Sequence, residues 1–148
     1  GLQFYDLDWY IEGRMHKTVA QIFAERGEEG FRTIERNMLH EVAEFEDVVI
    51  SCGGGTPCFY DNMQYMSAGD TVYLKPLPKC SVHTQDGKTE RPLLKGKTPE
   101  ELRDFITCQL AAREQYYTQA RHVFNVEVLD SYDKIQTSVT NLRTLLNI

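Results

Sequence analysis

Val48-Val49-Ile50-Ser51-Cys52-Gly53-Gly54-Gly55-Thr56-Pro57 runs from three apolar β-branched residues into a triple glycine. The apolar run predicts a buried strand, and the glycines predict the loop that ends it. In open α/β sheets, ligands bind at loops at the C-terminal ends of strands. Glycines there permit positive φ and close approach to the backbone, exposing N–H donors to an anion or hydroxyl. A tight structural turn is the other reading of the same residues.

Before the loop, Phe31, Ile34, Met38, Val42 and Phe45 recur at helical intervals, predicting an amphipathic helix from Glu28 to about Glu44. Gly27 reads as a stop after an earlier helix over Val19–Arg26, and helical sequence also extends through Arg14. Leu2–Tyr5 is a short strand candidate ending in Asp6-Leu7-Asp8. After the loop come a short helix over Asp61–Met66 and a strand over Thr71–Leu74. Thr98-Pro99-Glu100-Glu101 then forms a capping box that starts a helix to about Gln119. A strand over Val123–Val126 and a closing helix marked by Tyr132, Ile135, Val139, Leu142 and Leu146 complete the chain. Strands alternating with helices define an α/β domain with a parallel sheet.

At 148 residues the chain reads as one domain, 1–148, large enough to bury a core. With 41% hydrophobic and 26% charged residues, it holds no apolar run near the roughly 18 residues of a membrane span. A net charge of −6 supplies no electrostatic drive toward nucleic acid. Cys52, Cys58, Cys80 and Cys108 are too scattered for a disulfide scaffold or structural zinc site, so the reading is a reduced cytoplasmic protein. His16, His40, His83 and His122 show no ligand spacing.

Several residues carry chemistry on one reading and structure on another. Asp6 and Asp8 end the first strand, on opposite sides if it stays extended; one could face metal and the other substrate. Alternatively Asp8 caps the next helix and Asp6 is a turn residue. Arg113 continues the Ile106, Leu110 and Tyr117 stripe, where a cation needs an anionic partner or snorkels to solvent. Arg32 has Glu28 and Glu35 within helical reach, as a solvated ion-pair face or as a guanidinium fixed to grip a carboxylate. Residues 85–97 suit a mobile lid carrying Arg91 toward phosphate, or a solvated loop. Gly87-Lys88-Thr89 and Gly96-Lys97-Thr98 imitate the end of a Walker A loop, but Val82 and Arg91 stand where its first glycine is needed.

Together, Asp6-Leu7-Asp8, Gly30-Phe31-Arg32-Thr33-Ile34-Glu35, Ser51-Cys52-Gly53-Gly54-Gly55, Arg91-Pro92-Leu93-Leu94 and Arg113 with Tyr117 resemble the motifs of shikimate kinases, in that family's order. The resemblance implies a P-loop kinase-type three-layer fold, a central parallel sheet between helices with a mobile lid. It implies ATP-dependent phosphorylation of the 3-hydroxyl of shikimate, with Mg2+, by a monomer. Asp8 would bind ring hydroxyls and act as base, and Arg32 and Arg113 would clamp the carboxylate beside Gly53, Gly54 and Gly55. Glu35 would orient Arg32, Arg91 would approach ATP phosphates, and Asp6 would hold magnesium through water.

Two departures stand beside that resemblance. The sequence begins after the family's first strand and phosphate loop, which predicts unpaired neighbouring strands and impaired nucleotide binding. Hence the alternatives of a non-catalytic shikimate-binding remnant, or of a related small-molecule kinase, stand beside the kinase reading. Pro76 and Pro78 disfavour the helix the family carries over residues 75–84. In another frame, plausible codons for Lys75–Val82 give Ala-Ser-Pro-Glu-Val-Leu, similar to the family's segment. Resequencing the coding DNA tests that frameshift hypothesis: an unchanged frame removes it.

Overall fold

The computed structural model describes residues 1–76, 98–126 and 129–148. They fall into two compact units, one ending at Ala68 and the other starting at Gly69. In the first, strand β1 (Gln3–Asp6) pairs in parallel with strand β2 (Val48–Ser51), Gln3 opposite Val48 and Asp6 opposite Ser51. Parallel strands need a long crossover. Helices α1 (Leu7–Met15) and α2 (Val19–Ala43) supply it, and a short 3-10 turn (Thr56–Cys58) with helix α3 (Asn62–Met66) follows β2.

α2 begins in a capping box: the Thr18 hydroxyl accepts from the Gln21 N–H, and the Gln21 side chain accepts from the Thr18 N–H. Gly27, with φ of 68°, interrupts the helical backbone. The predicted stop is therefore a kink joining two helical segments, at a φ that L side chains rarely adopt. Beyond it, the predicted stripe turns inward at Phe31, Ile34 and Val42, which are buried together with Leu39, Leu7, Ile11 and Ile22. Met38 packs partly against this core, and Phe45 lies past the helix end with its ring 5.3 Å from Tyr5.

The expectation that Val48–Ile50 is a buried strand needs correction. Phe4 and Val49 stand opposite one another in the register and are 64% and 44% exposed. Successive side chains alternate between the two faces of a strand. The core helices cover the face that carries Tyr5 and Ile50 and leave the other open.

In the second unit, β3 (Val72–Pro76) pairs in parallel with β4 (His122–Val126), with helices α4 (Pro99–Tyr117) and α5 (Tyr132–Leu146). The predicted Thr98 capping box is present with both reciprocal hydrogen bonds. The Tyr73 hydroxyl donates to Glu114 at 3.1 Å while its ring lies 4.9 Å from that of Tyr117, tying β3 to α4. Burial and the Glu114 carboxylate push the Tyr73 phenol up to about 12. Asn147, in the left-handed conformation, ends α5.

The class is α/β, with parallel strand pairs flanked by helices. Among the described residues no helix is long and apolar enough to cross a membrane. The predicted lid with Arg91, the fragment Gly87-Lys88-Thr89, Gly96 and Lys97 of the second Walker-like fragment, His83, Cys80 and residues 77–84 of the suspected frameshift lie outside the described residues.

Ile11 is fully buried at the centre of the first unit's core. Ile11→Ala should lower unfolding free energy by about 2–5 kcal/mol, read as a lower urea midpoint at unchanged slope.

Candidate active site

At the end of β1 the chain turns directly into α1, so Asp6 and Asp8 do not flank an extended strand. The cap is Asp6, whose Oδ1 accepts the Trp9 N–H at 3.1 Å. Asp8 instead sits in the first turn of α1, half-buried. The reading of Asp8 as cap and Asp6 as turn residue is thus reversed: α1 begins at Leu7, which makes the preceding residue the one whose carboxylate reaches free N–H groups.

The glycine loop crosses in front of both α1 and α2. A methyl group built on Gly53 would meet the Asp8 carboxylate oxygens at 3.7 and 3.8 Å. One built on Gly55 would stand 2.5 Å from Nη2 of Arg32 and 2.8 Å from its Cζ. The loop thus meets the carboxylate at its first glycine and the guanidinium at its third. The positive φ that glycine permits is not used there: among the described residues Gly27 is the positive-φ glycine, and Gly55 has φ of −86°. The third position lacks room for a side chain because Arg32 fills the space.

Arg32 is not on a solvated face. It is 5% exposed and Glu35 is 1% exposed, which overturns the ion-pair-surface reading. Nη1 donates to both Glu35 oxygens, at 3.0 and 3.2 Å, while Nη2 lies 3.5 Å from Glu28. The guanidinium also lies 4.3 Å above the Phe59 ring and 5.3 Å from that of Phe31. Nε is buried and finds no partner among the described residues. A buried charge normally has its donors satisfied, so Arg32 retains capacity for an anion.

Burial pushes the Glu35 carboxyl above its ordinary range, while Arg32 and a Thr56 hydrogen bond pull it back and Asp8 adds to the rise. Burial likewise pushes the Cys52 thiol up to about 12, helped by the negative charges of Glu35, Asp8 and Asp6. Glu35, Asp8 and Asp6 therefore all act electrostatically on the Cys52 thiol, while Arg32 pairs with Glu35 and Glu28.

Sequence reasoning missed Thr56, Asn62 and Phe59. Thr56 is fully buried and donates its hydroxyl to Glu35 Oε2 at 2.9 Å; Asn62, also fully buried, donates to the Thr56 carbonyl at 2.9 Å. A threonine directly after the triple glycine was the available signal. Arg36 pairs with Asp61 at 2.9 Å and His40 stacks on Tyr65 at 3.8 Å, fastening α3 to α2 behind the loop. Arg113 lies on the half-buried stripe of α4 in the second unit.

A family model for shikimate kinase matches residues 1–143. The chain belongs to the shikimate kinase family. It is 55% identical to a shikimate kinase of Phocaeicola vulgatus, over 99% of this chain and 85% of that one. A shikimate kinase of Bacteroides thetaiotaomicron is 54% identical, over 98% and 84%. The crystal structure of shikimate kinase from Bacteroides thetaiotaomicron matches with a TM-score of 0.92 at 53% identity, covering 99% of this chain and 85% of that one. Shikimate kinase from Acinetobacter baumannii in complex with shikimate gives 0.81 at 27%, covering 99% and 80%. Membership of the shikimate kinase family makes this a kinase-type phosphotransferase of P-loop kinase fold, as the resemblance implied.

Two measurements check the geometry. Gly55→Ala forces the pinned guanidinium aside and should cost about 1–3 kcal/mol of stability in urea unfolding, as overpacking does. At pH 8 a thiol of pKa near 12 is ionised to about one part in ten thousand, so iodoacetamide should label exposed Cys108 in the native protein and Cys52 only after unfolding. Peptide mass mapping reads both.

Proposed function

We propose that this chain phosphorylates the 3-hydroxyl of shikimate with ATP, in a single domain spanning 1–148. One observation carries the reading: a single glycine loop meets the Asp8 carboxylate at Gly53 and a buried, glutamate-held guanidinium at Gly55. A ring acid with hydroxyls at one end and a carboxylate at the other presents matching groups.

In this reading Asp8 accepts hydrogen bonds from the ring hydroxyls and takes the proton from the attacked oxygen. Arg32 pairs with the carboxylate, with Arg113 as the second cation and the backbone of Gly53, Gly54 and Gly55 beside it. Glu35 holds Arg32 in orientation, because two charge-assisted hydrogen bonds fix the plane of the fork. Phosphoryl transfer depends mainly on such positioning and on neutralising charge, so orientation is itself catalytic.

Magnesium fits this donor set in one way. Among the described residues no group of three His, Cys, Asp or Glu side chains is placed to hold an ion. Magnesium commonly keeps its waters and binds through one or two carboxylates plus substrate phosphates. Asp6, a carboxylate with acceptor capacity beyond its cap bond, would hold such an ion through water, and the ion would supply charge neutralisation at the phosphates. Arg91 is the residue proposed to meet those phosphates. A cytoplasmic monomer completes the reading.

The test is shikimate-dependent ADP formation by the protein carrying this sequence, with shikimate binding measured separately by titration calorimetry. Asp8→Asn should lower kcat by at least about a hundredfold, the usual scale for a general base. Arg32→Ala should weaken shikimate binding by about 2–5 kcal/mol, the scale for stripping one partner from a buried charged contact. Undiminished kcat in Asp8→Asn would remove it as base, and unaltered affinity in Arg32→Ala would remove the clamp.

Glu35 adds a pH signature. Its folded-state pKa lies above the ordinary 4.5, so its contribution to stability is complete below that pH and is lost as pH climbs through the raised value. The stability of the wild type relative to Glu35→Gln should fall across that window. Urea midpoints taken from pH 4 to 8 measure it.

A further inference from the structure

The most fully enclosed polar contact near the loop belongs to Thr56, and it lies outside the residues proposed above. Its side chain is 0% exposed, and each of its backbone and hydroxyl groups has a partner that matters for the site. The N–H donates to the Gly53 carbonyl at 3.1 Å and the carbonyl accepts from Asn62 at 2.9 Å, so the backbone of Thr56 closes the glycine loop. The hydroxyl donates at 2.9 Å to the Glu35 Oε2 that also receives Arg32 Nη1 at 3.2 Å. One carboxylate oxygen thus joins the loop to the guanidinium.

We propose that Thr56 is a positioning residue for the carboxylate end of the substrate: through Glu35 it sets the distance and angle between the Arg32 fork and the backbone of Gly53–Gly55. The inference deepens the functional reading above and rests on it. Its physical basis is that Glu35 is shared. Arg32 occupies both carboxylate oxygens, yet a glutamate side chain on the same helix as Arg32 fixes the guanidinium only relative to α2. The loop belongs to a different segment, and its glycines have no side chains with which to register against α2. The Thr56 hydroxyl, one residue beyond Gly55, supplies that register, and Asn62 holds Thr56 from behind.

A second consequence is electrostatic. Glu35 faces Arg32 from α2, the Thr56 hydroxyl from the turn, Asp8 from α1 and the Cys52 thiol at the end of β2, while Glu28 faces Arg32 from the preceding turn. A hydroxyl donor favours the ionised carboxylate. Without it Glu35 holds its proton to higher pH, and the acid limb of substrate binding moves up with it.

The experiment is titration calorimetry of shikimate alone against the full chain, from pH 5 to 8, for wild type, Thr56→Val, Thr56→Ser and Thr56→Cys. Binding without nucleotide keeps the readout independent of phosphoryl transfer. Thr56→Val, which keeps the shape and loses the donor, should bind about fivefold to a hundredfold more weakly at pH 7, as loss of a hydrogen bond to a charged group does. Its acid limb should shift to higher pH. Thr56→Ser should restore both, and Thr56→Cys, a weak donor, should fall between. If Thr56→Val does not fold, the Ser and Cys pair carries the test: equal affinity and equal pH dependence in those two overturns the proposal. A folded Thr56→Val with wild-type affinity, or weaker binding with no shift of the acid limb, also overturns it. Failure of the wild type to bind shikimate would instead strike the functional reading itself.

Discussion

The first unit is organised around one buried charge pair. Placing the Arg32 guanidinium and the Glu35 carboxylate in an interior costs several kcal/mol per ion before any attraction returns it. The pair is tolerated because Glu35 is given three donor contacts, two from Arg32 and one from Thr56, and because aromatic faces from Phe59 and Phe31 lie over the cation. Such a pair is weak evidence for stability. It is better evidence for geometry, since each partner is confined to one orientation.

Other features of the unit keep that pair in place. The kink at Gly27 restarts α2 so that Phe31, Ile34, Leu39 and Val42 point into the core, which turns Arg32 and Glu35, interleaved with the same stripe, inward too. The parallel pairing of β1 with β2 brings Asp6 level with Ser51. The segments that follow these two strand ends, one carrying Asp8 and the other the glycines, therefore emerge side by side. Chemistry at the C-terminal edge of parallel strands follows from this alignment. Gly55 is required by proximity to the guanidinium, and the Arg36–Asp61 and His40–Tyr65 contacts keep α3 and the turn before it against α2.

Most elements were legible in the sequence because local rules settle them. The stripe of α2, the Thr98 capping box and the span Tyr132–Leu146 each rest on interactions within a few residues. The errors have a common origin. The alternative of Asp8 as cap places the junction of strand and helix late, and helix starts depend on which carboxylate reaches the free N–H groups. Val49 was read as buried because an apolar run looks alike whether one face or both is covered. The triple glycine signals positive φ and close approach alike, because both leave the same mark in sequence, and close approach is the one that Gly55 uses.

By itself the sequence determined the α/β class, the helical faces, the residue types of the site and, through the order of its motifs, the family. Those properties depend on near neighbours along the chain or on the residues themselves. Only the tertiary structure decided that Arg32 is buried rather than solvated, that Gly55 rather than a larger residue can pass it, and that Thr56 and Asn62 belong to the same network. Helical spacing puts Glu35 within reach of Arg32 whether or not water surrounds them. Burial arises when the loop after β2, some twenty residues away along the chain, folds over them, and spacing carries no information about that contact.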